Sequence, residues 1–173
     1  MGDYGSREVF VYLCVGWYQA HHIWQKDYTI KTDKKVGNIK VALLSDSHVG
    51  TTFIGRQDRS EEVEKNKGRA TMSELTSSLD DSKFSIVMNH QPCDYANQAK
   101  SGVDLVVSGH THGGQLFPLM NIENLTGLGD DRVYGYEKRD NTNFIVTSGI
   151  SDWAIKFKTG CKSEYVIVNI QGK

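Results

Sequence analysis

Asp46-Ser-His48 places a carboxylate and an imidazole two residues apart, and Gly109-His110-Thr-His112 does the same with two imidazoles. On an extended segment, residues at that spacing point to the same side. Asn89-His90 adds a third group. The chain has six histidines, and four of them (His48, His90, His110 and His112) stand just after apolar runs. Ends of strands in an open α/β sheet are where ligands and reacting groups gather. Hard carboxylate oxygen with several imidazoles suits a borderline divalent metal such as Mn2+, Fe2+ or Zn2+. Gly109, Gly113 and Gly114 permit tight turns around the histidines. A lone DxH arises by chance, and a lone HxH can be a structural pair or a surface accident. Three such loops on three consecutive runs point to a metal.

The elements that must position these loops are legible as short apolar runs. Tyr28–Thr32 alternates apolar and polar positions as a half-buried strand does. Ile39–Leu44 (IKVALL) stops at Ser45-Asp46, Phe84–Met88 (FSIVM) stops at Asn89-His90, and Val103–Val107 (VDLVV) stops at Ser108-Gly109-His110. Between the first two lies a polar stretch, Arg56–Asp81. There Val63, Ala70, Met72, Leu75 and Leu79 predict a helix that Gly68 weakens. Tyr95–Lys100 is a second, short helix. The tail is β-like at Arg132–Tyr136, Phe144–Thr147 and Tyr165–Ile170. The order is βα units followed by a β-rich tail, an α/β class with sheets flanked by helices.

The chain has 173 residues, enough for one domain with a real core. Its 20 basic and 21 acidic residues give a formal net charge of -1. That balance creates no field favouring nucleic acid or an anionic membrane, so no nucleic-acid partner is expected. No protein partner is predicted either. Cys14, Cys93 and Cys161 are odd in number and widely spaced, which reads as reduced thiols and not as a disulfide framework.

Ser45-Asp46-Ser47-His48-Val49-Gly50, Asn89-His90-Gln91-Pro92 and Ser108-Gly109-His110-Thr111-His112-Gly113-Gly114-Gln115 resemble three motifs of calcineurin-like metallophosphoesterases. The continuation Leu116-Phe117-Pro118, Gly55-Arg-Gln-Asp58-Arg-Ser, Val103-Asp-Leu105 and Thr147-Ser-Gly-Ile150-Ser-Asp152 are similar to a subgroup. It holds membrane-linked phosphodiesterases and UDP-2,3-diacylglucosamine hydrolase-like proteins. The resemblance runs from about Asp27 onward. It implies two metals about 3.5–4 Å apart sharing a hydroxide that attacks phosphorus in line. It assigns Asp46, His48 and His112 to the first metal, and His90 and His110 to the second. Metal-bound water is then the nucleophile, and no side chain is assigned that role. The implied substrate is a small phosphoester or a lipid-linked phosphate, with no head group specified.

The family pattern also includes a GDxxD loop, whose aspartate bridges the metals, and a GNH[DE] loop, whose histidine protonates the leaving group. Neither is found in this sequence. The DxH run passes through Thr51-Thr52-Phe53-Ile54 straight into Gly55-Arg56-Gln57-Asp58, which reads as an internal deletion of about two central βα units. The expected fold is therefore an incomplete metallophosphoesterase sandwich, two β-sheets flanked by helices. Asp58, Asp80 and Asp81 are the nearby carboxylates that could replace the bridging one, with Asp58 the substitute considered. Two cations without a shared carboxylate repel each other. One metal or none is thus expected to bind tightly, and activity is expected to be reduced. The alternative is a non-catalytic metal-binding remnant or a truncated gene product.

Residues 1–26 read as an N-terminal segment, a possible remnant of a membrane-proximal region, and 27–173 as the partial catalytic domain. Val9–Tyr18 is apolar but covers ten residues where a membrane helix needs about 20. It is expected to be a buried strand or helix end in a protein that is cytoplasmic or peripheral to a membrane. Met1-Gly2 with Ser6 matches an N-myristoylation pattern. Asn124-Leu-Thr126 matches a glycosylation sequon. Lys156 and Lys158 either steer an anionic substrate or line a solvated strand face, the latter being preferred. Trp153 and Tyr134–Tyr136 suit a cleft lip or a core equally well. His21-His22 is expected to pack locally or face solvent.

Overall fold

The computed structural model describes residues 4–48, 70–117 and 130–173. Asp58, the Met1-Gly2 pair and the Asn124 sequon lie outside them. Two mixed sheets and their flanking helices make an α/β protein, as the sequence predicts. The elements are α1 (Tyr4–His21), β1 (Ile23–Lys31), β2 (Asn38–Leu43), α2 (Met72–Thr76), β3 (Ile86–Met88), α3 (Tyr95–Lys100), β4 (Leu105–Ser108), a short 3-10 turn (His112–Gly114), β5 (Gly135–Arg139), β6 (Thr142–Val146) and β7 (Ser163–Gln171).

One sheet has the order β1-β7-β2, with β1 parallel and β2 antiparallel to β7. The other has the order β3-β4-β6-β5, parallel except for the β5–β6 hairpin. Alternation on the strands explains how they pack. Val166, Val168 and Ile170 of β7, with Ile30 of β1, face Leu105, Val107 and Ile145 of the second sheet across a closed apolar layer. The intervening residues of the second sheet, Val106, Phe144 and Val146, turn the other way and are covered by Tyr95 and Ala99 of α3. Tyr95 stacks on Phe144 with ring centroids 4.1 Å apart. Each fully buried Val or Ile contributes about 1.5–3 kcal/mol. β4, which ends at the His110–His112 loop, is thus covered on both faces.

Three expectations are corrected. Val9–Tyr18 is neither a strand nor buried: it is the middle of the 18-residue helix α1, and Phe10, Leu13 and Trp17 are exposed. Helix-competent residues on both sides of the apolar run extend it, and the Tyr12, Gly16 and Ala20 line meets the protein, with Tyr18 packed edge-on against Trp24. There Gly16 lies against the Phe157 ring, and the Tyr12 hydroxyl pairs with Thr159 Oγ1 at 3.0 Å. Next, the described part of the predicted Arg56–Asp81 helix is helical only over Met72–Thr76. It starts in a capping box between Thr71 and Glu74, and Leu75 and Leu79 are exposed. Finally, β5 begins at Gly135, three residues later than expected. A two-residue loop at Asp140-Asn141, with Asp140 at φ 52, sets the hairpin register Arg139–Thr142.

Candidate metal centre

The site is built at the ends of β2, β3 and β4. Asp46 follows β2 and is its hub. Its carboxylate accepts the Ser45 hydroxyl at 2.8 Å on Oδ2 and the His110 backbone N–H at 3.1 Å on the same oxygen. His90 Nε2 lies 3.6 Å from Asp46 Oδ1 and His112 Nε2 4.0 Å from it. His48 and His112 approach with their Nε2 atoms 3.3 Å apart. His112 Nδ1 donates to the Ser151 carbonyl at 3.2 Å, which leaves its Nε2 as a lone pair facing Asp46 and His48. His90 and His110 meet edge to face at 5.3 Å. All five residues singled out from the sequence thus share one neighbourhood. Asp46, His48 and His112 form its tightest part, with donor atoms all within 4.8 Å of one another.

The backbone is bent to make this possible. Asp46, His48, His110 and His112 all have positive φ, between 43° and 70°. Each costs on the order of 1–2 kcal/mol for a residue with a Cβ. Concentrated at one spot, such conformations mark a site that the surrounding structure holds in place. Two glycines allow the close packing. A Cβ at Gly109 would collide with Ser45 Oγ. One at Gly149, which sits at φ +72°, would stand 2.7 Å from Asp46 Cβ. Ile150 N–H then donates to the Ser45 carbonyl at 3.0 Å, so residues 149–151 tie the Asp46 loop to the His112 loop.

Burial is the largest influence on His112 and holds its pKa below the ordinary value, at about 4, against the opposing pull of Asp46. The imidazole is therefore neutral near pH 7, the form in which it can ligate. Cys161 Sγ donates to the His112 carbonyl at 2.9 Å. Burial raises this thiol to about 11, so it stays protonated. The three cysteines are free.

Lys158 departs from the expected solvated strand face. It is fully buried, its ammonium donates to the Ser148 carbonyl at 2.9 Å, and burial lowers its pKa. Gln115 is the residue that sequence reasoning passed over. Its amide nitrogen donates to the carbonyls of Trp153, Ile155 and Phe157, and its oxygen accepts Trp153 N–H at 2.8 Å, clamping residues 153–157. Its place in the Gly113-Gly114-Gln115 run was the available signal. Trp153 is 68% exposed and is therefore not a core residue. Tyr134 donates to Glu164 at 2.6 Å and Tyr136 to Asn143 at 2.9 Å. Asp80 and Asp81 are exposed beyond α2, where Asp80 accepts from Ser82.

The donor set fits a divalent cation. One desolvated carboxylate and two imidazoles, one oriented by a carbonyl, are the pattern of a metal site with open positions.

Comparison with known proteins agrees with this chemistry. The chain is 42% identical over 96 residues to an uncharacterized metallophosphoesterase of Campylobacter jejuni, covering 55% of this chain and 25% of that protein. It is 34% identical over 96 residues to an uncharacterized metallophosphoesterase of Helicobacter pylori, with 54% and 25% covered. A transmembrane protein with metallophosphoesterase domain from Bos taurus is 32% identical over 88 residues, with 50% and 19% covered. The chain spans about a quarter or less of the length of these curated relatives. About half of it is therefore similar to metallophosphoesterases, and its fold is consistent with part of a metallophosphoesterase fold. No family model matches the chain. No solved structure matches it.

Proposed function

We propose that this chain is a metal-dependent phosphoester hydrolase of the calcineurin-like type, acting on phosphodiesters with an incomplete binuclear centre and reduced activity. The observation that carries the reading is the convergence of Asp46, His48 and His112, with all donor atoms within 4.8 Å. A divalent ion bound there would polarise a phosphoryl oxygen and acidify a water. The remaining work belongs to the chain's own residues. Ser45 and the His110 N–H hold the Asp46 carboxylate in one orientation. Ser151 fixes the His112 tautomer. His90, 62% exposed beside Asp46, marks the open side from which an anionic substrate enters.

His90 and His110 alone make a weak second position. A second cation there would be repelled by the first, since no bridging carboxylate is available among the described residues. One tightly bound metal, Mn2+, Fe2+ or Zn2+, is the expected state. Support for an internal deletion of central βα units comes from β3, a three-residue edge strand on which Met88 is 86% exposed.

For location, the reading is a protein peripheral to a membrane. Residues 1–26 are then a membrane-proximal segment, and 27–173 the partial catalytic domain. No described helix is long and apolar enough to cross a membrane. Support comes from the apolar outer face of α1 and from relatives that carry transmembrane in their names. A lipid-linked phosphate is the substrate class that suits that location.

Metal analysis of the purified chain, with hydrolysis of bis-p-nitrophenyl phosphate, tests the reading. One metal per chain with slow, metal-dependent turnover is expected. Two metals with robust turnover would refute the incomplete centre, and no metal would refute the site. A non-catalytic metal-binding domain is the second reading, favoured by the two-histidine second position; tight metal binding without turnover would establish it.

A further inference from the structure

Asp152 carries a buried oxygen that nothing in the protein satisfies. Its Oδ1 is sealed from solvent and has no hydrogen-bond partner. An unpartnered buried carboxylate oxygen is costly, and such groups ordinarily have a partner, whether a donor, a water or an ion.

The backbone that carries this carboxylate is tied to the metal centre. Its neighbour Ser151 accepts from His112 Nδ1 at 3.2 Å, and Ile150, two residues back, is bonded to Ser45 at 3.0 Å. On the other side, Trp153 N–H is fixed by Gln115 Oε1 at 2.8 Å. Asp152 is therefore held between two anchored residues, on the segment that joins the Asp46 and His112 loops. The groups acting on its charge are Lys158, His21, Lys156 and His48, all cationic when protonated. Lys158 is the strongest of them, but its ammonium is already directed to the Ser148 carbonyl.

Charge counting shows what the site lacks. A carboxylate ligand contributes one negative charge and an imidazole ligand none, so a divalent cation bound by the trio keeps a net positive charge. The carboxylates weighed from sequence do not correct this: Asp80 is exposed and engaged with Ser82, and Asp81 is exposed. We propose that Asp152 is a positioning residue of the metal centre, a second carboxylate that neutralises a divalent cation held by Asp46, His48 and His112. It stands outside the trio whose donor atoms lie within 4.8 Å. Its action is therefore through its charge, from outside the direct ligands, which are the trio.

This inference rests on the proposed metal-dependent function, and the experiment separates the two. Mn2+ affinity of the full chain is measured by equilibrium dialysis after chelator treatment, for wild type, Asp152→Asn, Asp152→Glu and Asp46→Asn. The thermal midpoint of each metal-free protein is measured alongside. Asp152→Asn should weaken Mn2+ binding by about 10–100-fold. It should leave the metal-free midpoint unchanged or raised, because the amide removes an unpaired charge. Asp152→Glu should recover part of the affinity. Unaltered Mn2+ affinity in Asp152→Asn overturns the proposal and leaves the proposed function standing. A lowered metal-free midpoint in that variant also overturns it, since the side chain is then structural. Wild-type protein that binds no Mn2+ overturns both.

Discussion

The imidazoles of His48 and His112 face each other with ring centroids 5.2 Å apart, nearly parallel, and their Nε2 atoms 3.3 Å apart. Because His112 Nδ1 is turned to the Ser151 carbonyl, its Nε2 lone pair aims at His48 and at Asp46. Two nitrogens held so close are satisfied either by one shared proton or by a cation between them. The metal reading thus predicts unequal consequences for different substitutions. His112→Ala and Asp46→Asn should reduce Mn2+ affinity by about 100-fold or more, beyond the usual effect of a supporting residue. His110→Ala should cost less, since the Asp46 contact comes from its backbone N–H. Equilibrium dialysis across the three variants checks the order, and equal losses would contradict it.

Gly149 provides a test of how the loops are registered. Its φ of +72° is unfavourable for any residue with a Cβ, and the added carbon would stand 2.7 Å from Asp46 Cβ. Gly149→Ala should therefore destabilise the protein by about 1–3 kcal/mol. It should also displace Asp46, weakening metal binding. A urea-unfolding midpoint measured with and without Mn2+ separates the effects, because the stabilisation gained from metal should shrink in the variant. An unchanged metal-dependent shift would show that the Asp46 loop does not rely on this packing.

Much of the site was legible in the sequence because strand ends and short motifs coincide. Asp46, His90 and His110 each follow an apolar run, and the alternation over Tyr28–Thr32 marks a strand with one covered face, on which Ile30 is buried. Less visible was anything that depends on contacts distant in the chain. Lys158 reads as part of a solvated strand face, yet the turn after Trp153 buries it with its ammonium on the Ser148 carbonyl. Asp152 is not distinguishable in the sequence, because no local pattern separates an unpaired buried carboxylate from a surface one. Helix α1 escaped for the opposite reason: ten apolar residues normally imply burial, and only packing reveals that one line of the helix, Tyr12, Gly16 and Ala20, meets the body.

Cys161 gives a pH-dependent prediction. Burial raises its pKa from about 9 to about 11. An acid whose folded pKa is raised stabilises the protein below its unfolded pKa, and that contribution is lost as pH climbs from about 9 to about 11. Stability should therefore decline through that window by more in wild type than in Cys161→Ser. At pH 8 the exposed Cys14 should react quickly with a thiol reagent, whereas Cys161 should react only after unfolding. Comparable rates for both thiols in the native protein would mean that the environment of Cys161 is open.

Phe10, Leu13 and Trp17 recur at helical spacing on the outer side of α1, and Phe10 is 67% exposed. The opposite side is occupied by the body through Tyr12, Gly16 and Ala20, so this apolar stripe faces outward, with Trp17 stacked on His21 of the same helix. Its length, from Val9 to Tyr18, is about 15 Å at 1.5 Å per residue. That suits a helix lying in the surface of a bilayer, not one crossing it. With no excess of basic residues in α1, attachment should come from apolar burial and be nearly independent of anionic lipid. The chain should therefore co-sediment with phosphatidylcholine vesicles, and adding phosphatidylserine should change the bound fraction little. Phe10→Asp with Trp17→Asp should abolish binding while leaving Mn2+ affinity as in wild type, since neither side chain touches the metal centre. Binding that appears only with phosphatidylserine, or that survives the double substitution, would assign the attachment to another surface.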